Sequence, residues 1–130
     1  MKKQAGFTLI ELVAVLVILA LLGAMAVPRF SNMQDDALDA AKNGTGMAVK
    51  SAHSIAIAKL RRLPNVTELA GYVGGDSTIT PVTTGIQVTI NGNDYVVQTY
   101  TDSTCSSATT AITGGPGSGA EVGCVGSVTP

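Results

Sequence analysis

Apolar residues run almost unbroken from Phe7 to Val27, and one charge, Glu11, interrupts them. At about 1.5 Å per residue a helix over this run is roughly 31 Å long, enough to cross a hydrocarbon core of about 30 Å. Leucine, valine, isoleucine and alanine occupy every face, so lipid or other helices must cover the whole surface. Ala20, Gly23, Ala24 and Ala26 offer positions where a second helix can approach closely. Pro28 lacks an amide donor and its ring clashes with the carbonyl of Ala24, so a kink or local melting is expected there. Gly23 adds freedom nearby.

After Pro28 the pattern stays helical from Phe30 to Leu63. Phe30, Met33, Ala37, Ala40, Ala41, Met47, Ala48, Ala52, Ile55 and Ala58 trace a seam of small and apolar residues, expected to be the packing face. Gly44 and Gly46 weaken the middle without breaking it. Asp35, Asp36 and Asp39 fall early, and Lys59, Arg61 and Arg62 fall late, where they complement the helix dipole. The early acids are either a solvated face or a contact for basic residues of a neighbouring subunit. Pro64 ends the helix.

Asn65-Val66-Thr67-Glu68 has the form of a capping box for a short helix through Leu69 and Ala70. The same residues spell a glycosylation sequon, but the cap is the favoured reading. Gly71, Gly74 and Gly75 then mark a loop. Ile86, Val88 and Ile90 alternate with polar residues, Asn91-Gly92-Asn93 supplies a turn, and alternation resumes from Tyr95 to Thr101, which predicts a β-hairpin. Further short strands are predicted at Ser106–Ile112 and Glu121–Val128, joined by the glycine-rich loop Gly114–Gly119. That loop lacks the Gly-Lys-Ser/Thr ending of a phosphate cradle. The chain thus divides into residues 1–6, an apolar helix over 7–28, an amphipathic helix over 29–63 and a small β-rich head over 64–130.

Glu11 changes the picture of the apolar run. A carboxylate in a membrane-length segment is costly and needs a partner and a task. Lys2 and Lys3 precede the run and Arg29 follows it, and this shorter, more basic leader favours a cytoplasmic N-terminus. Three readings compete. One is a secretory signal peptide, cut at the A-x-A pattern of Ala24-Met25-Ala26 to release a soluble binding protein. Another is a plain single-span anchor, with Glu11 snorkelling to the headgroups. In the third, Gly6-Phe7 is a processing site joined to an assembly site at Glu11.

Gly6-Phe7-Thr8-Leu9-Ile10-Glu11-Leu12, the aliphatic run Val13–Leu22, Pro28 and the amphipathic stretch beyond it resemble the type IV prepilins. The resemblance covers roughly the first quarter of the chain. Val27-Pro28-Arg29-Phe30 and the Gln34-Asp35-Asp36-Ala37 run are similar to the mannose-sensitive haemagglutinin branch. The family implies an α+β pilin fold, with a long N-terminal helix packed on a small antiparallel sheet. It also implies cleavage after Gly6 by a prepilin peptidase, N-methylation of Phe7, and loosening of the helix around Gly23 and Pro28 within a filament. Glu11 lies one helical turn from Phe7. The partner implied for its carboxylate is the terminal amine of an incoming subunit, because a buried charge is tolerable only when paired. Against this stands the simpler reading of Glu11 as an N-terminal helix charge at the headgroup level.

Cys105 and Cys124 are the only cysteines, and they are too far apart for a C-x-x-C redox or zinc pattern. An exported domain would oxidise them, in keeping with the disulfide-bounded C-terminal region of many pilins. Closing such a loop contributes about 3 kcal/mol in the chain-entropy model, which a small Gly/Thr-rich head needs.

The remaining chemistry is sparse. His53 is the one histidine, placed on the long helix without partners for catalysis. Asp76, Asp94, Asp102 and Glu121 are dispersed, so no metal site, cofactor or enzymatic activity is expected. Lys+Arg 8 stand against Asp+Glu 9, and loss of Lys2 and Lys3 would leave 6 against 9, which argues against a broad grip on nucleic acid.

The expectation is therefore the major subunit of a type IV pilus. It would be held in the inner membrane, polymerised with identical subunits by an assembly platform with minor pilins, and displayed outside the cell for adhesion or twitching motility. The alternative is a pseudopilin or minor pilin of a secretion or DNA-uptake system.

Overall fold

The computed structural model describes residues 6–74 and 78–130, with the backbone alone at 27–31. The leader residues Met1–Ala5, together with Gly75 and Asp76, lie outside the described residues. Element order is α1 (Leu9–Leu60), α2 (Val66–Val73), β1 (Ile79–Val82), β2 (Gly85–Ile90), β3 (Asn93–Tyr100) and β4 (Cys124–Thr129). The chain falls into two compact units, Met1–Ala37 and Leu38–Pro130. This is the expected α+β architecture, with a long apolar N-terminal helix, a four-stranded antiparallel sheet and a C-terminal disulfide.

The first unit is the N-terminal part of α1. Its segment Leu9–Ala26 has a mean hydropathy of 2.8 and none of it is buried, so it is long and apolar enough to cross a membrane. Phe7, Leu9, Ile10, Leu16, Leu22 and Met25 are all more than 60% exposed, which no soluble monomer sustains without a cover. The helix is continuous in backbone through Pro28.

The second unit is the head. Its sheet has the order β1-β2-β3-β4, with every neighbouring pair antiparallel. The expected hairpin is β2–β3. Ile90 pairs with Asn93 across a two-residue turn, in which Asn91 (φ 53) and Gly92 (φ 81) both take the positive φ that such turns require. Alternation then aims Ile86 and Val88 of β2, and Tyr95, Val97 and Thr99 of β3, to one buried face. Gly85 opens β2 at φ 155, where a Cβ would drive into the Val97 carbonyl of the neighbouring strand. Against this face pack Val49 and Ala52 of α1, Val66, Leu69 and Ala70 of α2, and Val122 and Val125. β1 was not anticipated by the pattern. It has four residues, carries Pro81 and, among the described residues, is paired on one side only.

Three expectations are corrected. First, of the predicted seam on α1, Ala52 is buried, whereas Met33, Ala37, Ala40, Ala41, Met47, Ala48, Ile55 and Ala58 are exposed; the side chain of Phe30 lies outside the described residues. The sheet instead takes the opposite face, Gly46, Val49, Ala52 and Ala56, flanked by Leu38, Ile57 and Leu60. Both faces are apolar and small, so periodicity could not choose between them. The branched Val49 and Leu38 fill the space over the strands, and Gly46 allows β4 in, with Val128 Cγ2 only 3.3 Å from where its Cβ would lie.

Second, α1 stops at Leu60, where Arg61 turns into the left-handed region at φ 56, three residues before the break expected at Pro64. Helix α2 is longer than expected, and it keeps Gly71 inside.

Third, Ser106–Ile112 forms no strand. It contributes one isolated bridge, Tyr100 to Ala108, because the chain there is held by turns rather than by a ladder. Asp102 organises those turns. Its carboxylate accepts from the amides of Ser106 (3.0 Å) and Ser107 (2.8 Å) and from the Thr104 hydroxyl. The Thr104 bond, then the amides, hold its carboxyl at about 2. A lowered folded-state pKa means stability that is present above the unfolded value and lost as pH falls through about 2. Asp102→Asn is accordingly expected to lower the melting temperature at pH 5, with the gap to wild type closing near pH 2. A gap that persists unchanged in acid would show that Asp102 does not carry it.

The joint between α1 and the head is polar. Asn65 accepts from the Glu68 amide at 2.8 Å, and Glu68 accepts from the Asn65 amide at 2.9 Å, completing the predicted capping box. Arg62 donates to both oxygens of Glu68, and with the Asn65 amide it lowers the Glu68 pKa. His53 reaches the Val122 carbonyl at 2.7 Å, so it ties α1 to the segment leading into β4, a structural role in keeping with its isolation in sequence. Inside the head, the Thr99 and Thr109 hydroxyls meet at 2.7 Å, and Thr109 also donates to the Thr83 carbonyl at 2.9 Å, so these buried groups are satisfied.

Candidate functional site

The chemistry foreseen for this chain collects at the start of α1. Gly6 and Phe7 precede the helix as exposed backbone outside any regular element. A peptidase can take such a segment, because no helical hydrogen bond has to break first. Thr8 is the N-cap. Its amide and its hydroxyl both donate to Glu11 Oε2 at 2.9 Å, and the Glu11 amide donates back to the Thr8 hydroxyl at 3.4 Å. This is a reciprocal capping box, and the Thr8-x-x-Glu11 spacing is itself the sequence signal for one.

The box has a chemical consequence. Both local bonds fall on Oε2, while Oε1 has no partner among the described residues and the side chain is exposed. The carboxylate is thus oriented by its own chain, with one oxygen open to a cation from elsewhere. A carboxylate in the first helical turn also sits favourably at the positive end of the macrodipole.

The remaining site residues fall elsewhere. Gly23 and Pro28 lie within α1; Gly23 has nothing within 4 Å of where a Cβ would be, and the side chain of Pro28 lies outside the described residues. Cys105 and Cys124 are joined, with their Cα atoms 5.4 Å apart, which fits the pairing expected of an exported domain. The bond clips the Asp102 turn to the first residue of β4. Among the described residues, no group of three or more His, Cys, Asp or Glu side chains is placed to hold a metal ion.

This N-terminal segment leads into a helix long and apolar enough to cross a membrane, and the head carries a disulfide. Residues 1–27 match the family model for the prokaryotic N-terminal methylation motif. The chain is 42% identical over 76 residues to the type IV narrow pilus major component PilA5 of Thermus thermophilus. That match covers 58% of this chain and 66% of the relative's length, just under two thirds. No solved structure matches the chain. The chain is thus similar to a type IV pilin and carries the prepilin methylation motif. Neither match singles out the haemagglutinin branch.

Proposed function

We propose that this chain is the major structural subunit of a type IV pilus. The observation that carries the reading is the open, exposed Gly6-Phe7 segment running directly into the Thr8/Glu11 box on a helix whose apolar surface has no cover. The similarity to a relative described as a major pilus component supports it.

The subunit begins as a single-span protein of the inner membrane, with its basic leader on the cytoplasmic side and its head outside, where the disulfide forms. A prepilin peptidase cuts after Gly6 and methylates the new amine on Phe7. The amine of one subunit then meets Glu11 of another at the oxygen that the Thr8 box leaves open. In lipid or in a packed bundle an unpaired charge is strongly disfavoured, so only a register that brings amine and carboxylate together is stable. Leu9–Ala26 passes from lipid into a bundle of identical helices with little change in surroundings, since both are apolar. Gly23 and Pro28 mark where the helix loosens as the filament forms. An assembly platform, with minor pilins, drives the exchange outward, and the finished fibre serves attachment or twitching motility.

The test is the intact mass and N-terminal sequence of the protein recovered from sheared surface fibres. A chain starting at methylated Phe7 is expected. A chain starting at Val27 would remove Glu11 and the membrane helix together and overturn the reading.

A further inference from the structure

Beside the sheet-packing face, α1 and β4 enclose an open groove of about 690 Å3. Met47 and Val128 supply apolar surface, and Lys42 and Lys50 bring cationic side chains to it, with Asp39 at one end. Lys42 is held in place, 3.6 Å from Asp39 and 4.8 Å from the centre of the Tyr95 ring. Lys50 has no ion-pair partner among the described residues and is exposed. The groove therefore combines apolar surface with a net positive charge.

One segment of this same chain has the complementary chemistry. Met33-Gln34-Asp35-Asp36-Ala37 is helical and exposed, with an apolar Met33 and a small Ala37 flanking two adjacent carboxylates. Neither Asp35 nor Asp36 forms an ion pair among the described residues. In a parallel array of identical helices at equal height, acids would face acids and bases would face bases, which costs free energy. In sequence the acids precede Lys42 and Lys50 by six residues or more, so opposing unlike charges requires an offset between the two copies.

We propose that the Lys42/Lys50 groove receives the Met33–Ala37 segment of a second copy of this chain, and that this pairing fixes the axial stagger between the heads. The proposal rests on the filament reading above and adds a second register check to the one at Glu11, placed outside the membrane-length segment. Being exposed, it is sensitive to salt, whereas a pair buried among apolar helices is not.

The experiment uses full-length protein in sheared fibres. Lys50→Glu is expected to lower fibre yield at least about threefold at low ionic strength, as repulsion replaces attraction at a solvated site. Adding Asp36→Lys to the same chain is expected to restore the yield. Fibres assembled from mixed light and heavy-isotope chains and treated with a carbodiimide should give mixed-label peptides joining Asp35 or Asp36 to Lys42 or Lys50. Equal fibre yield for Lys50→Glu and wild type, a double variant no better than the single, or the absence of mixed-label cross-links would each overturn the docking. Absence of fibres from the wild-type chain would instead overturn the filament reading itself. Melting curves of the detergent-solubilised subunits, expected to coincide, exclude a folding defect at these exposed positions.

Discussion

Glu11→Ala is expected to abolish fibres while leaving the cut after Gly6 intact. The proposed cleavage acts on the exposed Gly6-Phe7 backbone, which the substitution does not touch. In the proposed assembly the carboxylate is required, because the amine of the incoming subunit would otherwise enter an apolar bundle unpaired. Breaking a buried pair from one side costs about 3–5 kcal/mol. At about 1.4 kcal/mol per tenfold, that is more than about a hundredfold in each subunit addition.

The Thr8 box offers a competing explanation, since alanine also removes a helix cap worth about 0.5–2 kcal/mol. Glu11→Gln separates the two. Glutamine can complete a capping box but carries no charge. Fibre loss in both variants, with processed subunit present in the membrane fraction, is the expected result. Abundant fibres from Glu11→Ala would refute the assembly role, and fibres from Glu11→Gln alone would reduce it to a cap.

The second large effect belongs to the disulfide. Replacing Cys105 and Cys124 together by serine is expected to cost about 3 kcal/mol, the loop-closure entropy regained by the unfolded chain. For a head of this size that is a fall of more than about 10 °C in the melting temperature. The effect should be large because turns, rather than a strand ladder, hold this region. Among the described residues, Ser106–Ile112 has one isolated bridge, and β4 is paired on one side only, with its register broken between Val97 and Thr99. Thermal unfolding of the detergent-solubilised subunit under oxidising and reducing conditions checks it. A fall of less than about 3 °C would mean that the Asp102 turn and the β3 ladder suffice without the clip.

The legible parts of this chain are those where one signal dominates. Asn91-Gly92 between alternating runs allows one turn and one register, and β2–β3 follows. Asn65 and Glu68 stand at cap spacing, and α2 starts there. The Gly6–Glu11 segment is specific because few other uses place a carboxylate in such a run.

The illegible parts are those where two signals balance. Helix α1 has small and apolar residues on opposite sides, so its packing face was decided by the shape of the sheet, a tertiary fact. β1 is too short to show a period, and it contains a proline that ordinarily argues against a strand. The 106–112 segment has the β-branched residues of a strand, but the Asp102 turn and the disulfide fix it in another form. At Glu11 the cost of a charge in an apolar run masks the simpler Thr8-x-x-Glu11 signal, although the structure shows the capping box as well as the open oxygen.

Pro81 on the edge strand bears on how such a subunit survives before use. A sheet edge is a template for uncontrolled strand addition, and a store of identical heads crowded along a membrane is where that hazard is greatest. Pro81 removes one donor from β1, and four residues give a visiting strand little to grip. The head can therefore be kept at high local density without aggregating through this edge.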